Sequence, residues 1–184
     1  MTKTPIDRST QRREHILGAA RVLFLLNGVR GTSMEAIARE AGIAKATLYA
    51  QFSDKTAIFV ALMEQLHSEK RAVVEAALSS EEPGVLRAAN ALAAKYKLLA
   101  RLLDSSPHAE ELENEGRGHG KGHSAPFDDW LAGQIADALA KDGVDNSQQS
   151  ARLLIACAEG IAQHATRPEE IGPAIRLVAS KLFG

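Results

Sequence analysis

The chain has 184 residues, of which 45% are apolar, and its formal net charge is −1; this balance supports a folded core and excludes a disordered chain. Aromatic residues make up only 4% of the sequence, whereas alanine and leucine are abundant, which favours an all-helical protein. The longest apolar runs are far shorter than the ~20 residues that span a bilayer, and the polar first residues do not resemble a signal peptide, so we expect a cytoplasmic protein.

The first part of the sequence predicts a group of closely spaced helices. Apolar residues between 9 and 27 recur every three or four positions, which is the pattern of a helix packed on one side, and Gly28 suits the left-handed position that ends it. A loop follows, in which Thr32 and Glu35 have the spacing of a capping box that opens a second, short helix. Gly42 ends this second helix. Two further helices are expected at 44–51 and 55–78.

The rest of the chain predicts more helices, without a strand or an internal repeat. Short segments rich in glycine, proline and serine separate its periodic stretches. The five helices expected here cover residues 85–103, 108–115, 126–140, 147–165 and a last segment that starts between 168 and 173. We therefore expect an all-α fold of nine helices, in which a head at 1–55 is joined through the long fourth helix to a larger domain at 56–184.

The two parts of the chain differ in charge. Residues 1–55 contain nine Lys or Arg and five Asp or Glu, whereas the remainder contains thirteen basic and eighteen acidic residues. A polyanion is attracted to the basic head and repelled by the acidic remainder of the chain. The asymmetry therefore favours a polyanionic partner for the head.

The second and third predicted helices, with the glycine turn between them, have the pattern of a helix-turn-helix. Leu48 and Phe52 define the inward face of the third helix. Ala46 and Ala50 point the opposite way, and two such small side chains let the backbone approach a DNA major groove closely. The polar candidates around them are Lys45, Thr47, Tyr49 and, at the start of the fourth helix, Lys55. The pattern alone also fits an amphipathic three-helix head that binds nothing.

Residues 28–59, GVRGTSMEAIAREAGIAKATLYAQFSDKTAIF, resemble the DNA-binding segment of transcriptional regulators of the tetracycline-repressor (TetR) type. The matching positions are Thr32, Ser33, Ile37, Ala38, Ala41, Gly42, Ile43, Lys45, Thr47, Leu48, Tyr49, Phe52 and Lys55. The resemblance implies a helix-turn-helix head followed by a larger helical domain that binds an effector and dimerises.

The resemblance also implies which side chains meet DNA. The phosphate contacts would be Ser33, Lys45, Tyr49 and Lys55, and the groups against base edges would be Thr47, Gln51 and the surface of Ala46 and Ala50. Thr32 joins the predicted DNA-binding set as the first residue of the Thr-Ser pair. Charge alone adds Arg12, Arg13 and Arg30 as backbone contacts.

The function implied by the resemblance is a ligand-responsive transcriptional regulator. A repressor that leaves a palindromic operator on binding a small apolar or amphipathic effector is expected, and an activator of the same fold is the alternative. The residues expected to line the effector pocket are Leu62, Leu66, Leu92, Tyr96, Leu99, Leu103, Phe127, Trp130 and Leu131, although each of them fits a core position better than a ligand wall. Possible polar contacts are Tyr96, Gln134 and His164.

A helix-turn-helix that reads a two-fold site needs a dimer, and the last two helices are the expected interface. Both carry apolar stripes that could pair across a two-fold axis as a four-helix bundle. The interface residues expected are Ala151, Leu154, Ile155, Ala158, Ala162, Ile171, Ile175, Val178 and Leu182. The alternative is that both stripes are buried within the monomer.

A metal site is the rival interpretation of one segment. Glu115, His119 and His123 are spaced four apart, which could hold zinc on a helix. Four glycines interrupt residues 116–122 and argue against a rigid helix there, because each disfavours helix by ~1 kcal/mol. No phosphate-binding loop, nucleophile elbow or buried acid pair is present either, so we expect no cofactor, no metal and no enzymatic activity.

Overall fold

The computed structural model describes residues 8–103, 106–108, 111–112 and 125–184. These residues form eight α helices and no strand, which confirms the all-α prediction. The helices are α1 (Arg8–Gly31), α2 (Met34–Glu40), α3 (Lys45–Gln51), α4 (Lys55–Leu78), α5 (Gly84–Leu103), α6 (Ala125–Lys141), α7 (Ser147–His164) and α8 (Pro168–Phe183). The additional helix predicted at 108–115 lies largely outside the described residues.

The described residues fall into two compact units, and the chain passes from one to the other within α4, between Gln65 and Leu66. The first unit contains α1 to α3, the first half of α4 and the described residues between 106 and 112. The second unit contains the remainder of α4 and α5 to α8. Each unit has its own hydrophobic core.

The core of the first unit is built from the inward stripes of its four helices. Ile16 and Phe24 of α1 are buried together with Ile37 of α2 and Leu48 of α3. The ring of Phe24 meets that of Phe59 from α4 edge to face, with centroids 6.0 Å apart. Three- and four-residue spacing places these side chains on one face of each helix, so the periodicity of the sequence accounts for this core.

The predicted end of α1 is partly wrong. Gly28 has a positive φ of 71°, as expected, but the helix resumes after this kink and continues to Gly31. Thr32 is buried, and its hydroxyl donates to the Gly28 carbonyl at 2.7 Å. That carbonyl lies at the kink, so the hydroxyl satisfies an acceptor in the interrupted part of the helix.

The predicted capping box at Thr32 is also wrong. Ser33 is the N-cap of α2, and its Oγ accepts from the N–H of Ala36 at 3.1 Å. Thr32 cannot serve this role because its hydroxyl already points back to α1. At the next boundary, the N–H of Ala57 donates to Oδ1 of Asp54 at 2.8 Å, so Asp54 is the N-cap of α4.

The second unit is built around α5, which packs against α6, α7 and α8. Its buried side chains include Leu92 of α5, Ile135 of α6, Leu154 of α7 and Ile175 of α8. Small residues dominate the buried face of α5, namely Gly84, Ala88, Ala89, Ala91 and Ala93. These small side chains let three helices approach α5 closely.

Candidate nucleic-acid interface

The turn between α2 and α3 is closed by backbone hydrogen bonds around a single glycine. Gly42 has a φ of 60°, in the left-handed region that favours glycine. The N–H of Ile43 donates to the Ala38 carbonyl at 3.0 Å, and that of Gly42 donates to the Arg39 carbonyl at 3.1 Å. These two bonds form a Schellman motif. The direction in which α3 leaves α2 is therefore fixed by local backbone geometry.

One side of α3 is buried and the other is open. Leu48 is fully buried in the core of the first unit, whereas Tyr49 is 49% exposed. The exposed or half-buried side chains of α3 are Lys45, Ala46, Thr47, Tyr49, Ala50 and Gln51. This set, called the α3 face below, has small side chains at its centre and polar groups at its edges. A helix that enters a major groove and donates to its phosphates needs this distribution.

Lys45 on the α3 face is paired with a carboxylate of α2. Its Nζ lies 3.0 Å from Oε1 of Glu35, and both side chains are more than half exposed. The hydrogen bond from Lys45, together with its charge, lowers the pKa of Glu35. Exposed pairs of this kind contribute little to stability. The ammonium of Lys45 can therefore exchange Glu35 for a phosphate oxygen at small cost.

Three other residues of the predicted DNA-binding set have structural partners within the first unit. Ser33 caps α2, and Nζ of Lys55 donates to the backbone carbonyl of Thr32 at 2.8 Å. Ser33 is exposed and Lys55 half-buried, but the side chain of Thr32 is only 3% exposed. The hydroxyl of Thr32 thus satisfies a carbonyl of α1 and does not face a ligand, which corrects its place in the predicted set.

The N-terminal arginines and His15 contribute to the support of the interface. The guanidinium of Arg13 lies 4.2 Å from the centroid of the Phe52 ring, at the end of α3. Nε2 of His15 donates to the carbonyl of Ala41 at 2.9 Å, which connects α1 to the turn. Arg12 is exposed. Sequence reasoning missed His15, because a lone histidine on an amphipathic helix has no pattern that identifies its partner.

Arg30, the third arginine proposed from charge alone, lies where α1 ends. Its backbone N–H donates to Oε1 of Glu111 at 3.0 Å. This hydrogen bond lowers the pKa of the Glu111 carboxyl, and His108 acts in the same direction. Oε2 of Glu111 lies 3.2 Å from Nδ1 of His108. Glu111 thus supplies a partner for the last turn of α1.

The residues predicted to line an effector pocket belong to both units. Leu62 packs in the core of the first unit, so it is corrected to a core residue there, because its half of α4 faces α1. In the second unit the buried members of the set are Leu66, Leu92, Tyr96, Phe127 and Leu131, and the half-buried members are Leu99, Leu103 and Trp130. Gln134 is half-buried and His164 is exposed.

Most of the predicted dimer interface is buried inside the monomer. The fully buried residues are Ala151, Leu154, Ala158, Ile171 and Ile175, the half-buried ones are Ile155, Ala162 and Val178, and Leu182 is exposed. The buried five pack against α5 and α6 in the second core and cannot also form a surface between two copies. On the opposite sides of α7 and α8, Leu153 is 49% and Leu177 is 60% exposed.

The segment with the rival metal ligands, Glu115, His119 and His123, lies outside the described residues. Within the part of the chain that the structure describes, no three His, Cys, Asp or Glu side chains come together as a metal site. None of the helices described above is long and apolar enough to span a membrane.

Comparison with known proteins finds similarity to one family of regulators in the first part of the chain. Residues 16–62 match the family described as bacterial regulatory proteins, tetR family. The HTH-type transcriptional regulator AcrR of Shigella flexneri is 34% identical over 64 residues, which cover 35% of this chain and 30% of that relative's length. The chain thus matches less than a third of the curated relative.

Solved structures share the whole architecture. A TetR-like transcriptional regulator from Rhodococcus sp. RHA1 has a TM-score of 0.72 at 19% identity and covers 96% of this chain and 97% of its own. A TetR transcription regulator from Haloarcula marismortui ATCC 43049 has a TM-score of 0.69 at 18% identity and covers 95% and 97%. At these identities the likeness shows the fold, from the first helix to the last.

Proposed function

We propose that this chain belongs to the tetR family of bacterial regulatory proteins, whose model its residues 16–62 match, and that it regulates transcription by binding a two-fold symmetric operator as a homodimer. The observation that carries the proposal is the α3 face. Its central alanines allow close approach to base edges, and Thr47 and Gln51 can hydrogen-bond to them. Lys45 and Tyr49 supply phosphate contacts at the edges.

Operator binding can be tested by selecting duplexes from a random pool and measuring their affinities by fluorescence anisotropy. We expect a consensus with two-fold symmetry and a Kd that rises with salt. Tyr49→Ala and Lys45→Ala should weaken binding, and Lys45→Ala should reduce the salt slope by about one. Lys141→Ala, which removes an exposed lysine of α6 in the second unit, is the matched control and should leave binding unchanged. A pool without enrichment, or α3-face variants that bind like wild type, would refute the proposal.

Within this proposal the chain acts as a repressor, as the resemblance to TetR-type regulators implies. A reporter placed behind the selected operator distinguishes this from activation. We expect reporter expression to fall when the chain is present and to recover with Tyr49→Ala. A rise in expression with the wild-type chain would assign activation instead.

We further propose that the second unit binds a small effector that releases the operator. Half-buried apolar side chains on α5 and α6, among them Leu99, Leu103 and Trp130, support an apolar or amphipathic ligand. Such a ligand would shift the dimer toward an arrangement whose heads no longer match the operator spacing.

A further inference from the structure

The second unit carries a group of basic side chains placed over aromatic rings. His67 of α4 stacks on Phe127 of α6, with ring centroids 5.3 Å apart and planes within 8° of parallel. The guanidinium of Arg71 lies 4.2 Å from the centroid of the Trp130 ring, and Phe127 is 5.5 Å from Trp130. Lys70 also approaches Phe127, with Nζ 5.9 Å from the ring centroid. This face of α4 and α6 is thus both cationic and aromatic.

Lys95 of α5 belongs to the same neighbourhood. Its Nζ lies 4.0 Å from the centroid of the Tyr96 ring, and the side chain is half-buried. Burial lowers the pKa of Lys95 to about 8, and the nearby charge of Lys70 acts in the same direction. Burial also raises the pKa of Tyr96, so the phenol beside the ammonium stays neutral.

No carboxylate of the described residues pairs with Lys95. Asp128 and Glu159 raise its pKa from a distance, but neither forms an ion pair with Nζ within 4.0 Å. A largely desolvated ammonium normally has an anionic partner close by. Lys95 has only the face of a ring, which compensates less than a carboxylate would.

We infer that the second unit binds an amphipathic organic anion whose acidic group pairs with Nζ of Lys95 and whose apolar part lies along α5 and α6. This inference rests on the proposed effector function and names the ligand's chemical class.

The apolar part of such a ligand has a suitable surface beside Lys95. Leu99 follows Lys95 by one helical turn, and Leu103 follows Leu99 by another. Both side chains are half-buried, and neither belongs to the core of the second unit. Trp130 is also only half-buried. The two leucines can take up an alkyl chain without displacing the core, whereas Trp130 packs against it.

The inference can be tested with three probes that share a ten-carbon chain: decanoate, decyl phosphate and decan-1-ol. Trp130 is the only tryptophan in the sequence, so quenching or enhancement of its fluorescence reports binding at this site. We expect the anionic probes to bind at least about tenfold more tightly than decanol, since a hydrogen bond to a charged group contributes ~1.5–3 kcal/mol. The better of the two anions distinguishes a carboxylate from a phosphate ligand.

Substitutions assign the anion to Lys95. Lys95→Met should lower the affinity for the anions about tenfold or more and leave that for decanol unchanged, whereas Lys95→Arg should retain anion binding. Lys97→Met, on the same helix, is the matched control and should behave like wild type. Equal anion affinity in Lys95→Met and wild type, or no binding of either anion to wild type, would overturn the inference.

The outcome is separable from the proposed function. Operator affinity is measured without any probe, so a chain that binds neither decanoate nor decyl phosphate can still bind its operator. A chain that binds decanoate through Lys95 but no duplex would refute operator binding and leave the anion site standing.

Discussion

The buried charge of Lys95 destabilises the folded chain, and the same charge selects the anionic ligand proposed above. Its pKa is lowered from 10.5 to about 8, first by burial. Below about pH 8 the folded chain holds this desolvated charge, which destabilises it. Between about pH 8 and 10.5 the folded chain has released a proton that the unfolded chain still binds, so stability rises with pH in that window.

Lys95→Met should therefore be more stable than wild type at pH 7. The difference should shrink as the pH rises from 8 to 10.5, because the wild-type lysine then becomes neutral in the folded chain. Urea denaturation of both proteins at pH 7 and pH 10 measures this. Equal stability at pH 7, or a difference that does not change with pH, would show that Lys95 is well solvated.

Glu35 forms an ion pair with Lys45 of the α3 face, in which Nζ lies 3.0 Å from Oε1. Glu35→Gln should tighten binding to the selected duplex by about threefold, since it frees Lys45 and removes a charge that repels phosphates. Glu40→Gln makes the same charge change at an exposed site on the same helix and should have a smaller effect. Anisotropy titrations at one salt concentration compare them. Equal gains in both variants would mean that the pairing with Lys45 is irrelevant.

At the scale of the elements, Gly42 defines the turn that positions α3. A Cβ at Gly42 would meet nothing within 4 Å, so Gly42→Ala carries only the conformational cost of its φ of 60°. We expect a loss of ~1–2 kcal/mol in the free energy of unfolding. Gly18→Ala, also in open space but within α1, should instead stabilise by ~0.5–1 kcal/mol. Urea denaturation measures both, and changes of the same sign would contradict this account.

Element boundaries show what the sequence could predict. Periodicity identified the helices of both units, and the glycine turn of the helix-turn-helix was expected at Gly42. The start of α2 was misplaced by one residue, because Thr32 and Ser33 are equally good caps by residue type. Only the kink at Gly28 and the hydrogen bond from Thr32 to its carbonyl decide between them.

At the scale of the whole molecule, periodicity could not determine which partner each apolar stripe meets. Ile171 and Ile175 were expected between two copies, yet both are fully buried in the monomer. An apolar stripe has the same appearance whether it packs against α5 or against a second chain. Lys95 was missed for a related reason, since a lysine on an amphipathic helix is normally solvated and becomes desolvated only through packing with other helices.

The corrected burial moves the proposed dimer interface to the outward sides of α7 and α8. Leu153 and Leu177 are large apolar side chains exposed by 49% and 60%, and pairing them across a two-fold axis would remove both from water. The double variant Leu153→Glu with Leu177→Glu should be monomeric, because four carboxylates cannot be buried together.

Light scattering at micromolar concentration gives the mass, and circular dichroism checks that the helices remain. Since a two-fold operator engages both heads at once, the monomer should lose most of its affinity for the symmetric duplex but bind a single half-site like wild type. Val22→Glu is the control, because Val22 is an equally exposed apolar residue of α1 in the first unit. A double variant that keeps the dimer mass would place the two-fold interface on another surface.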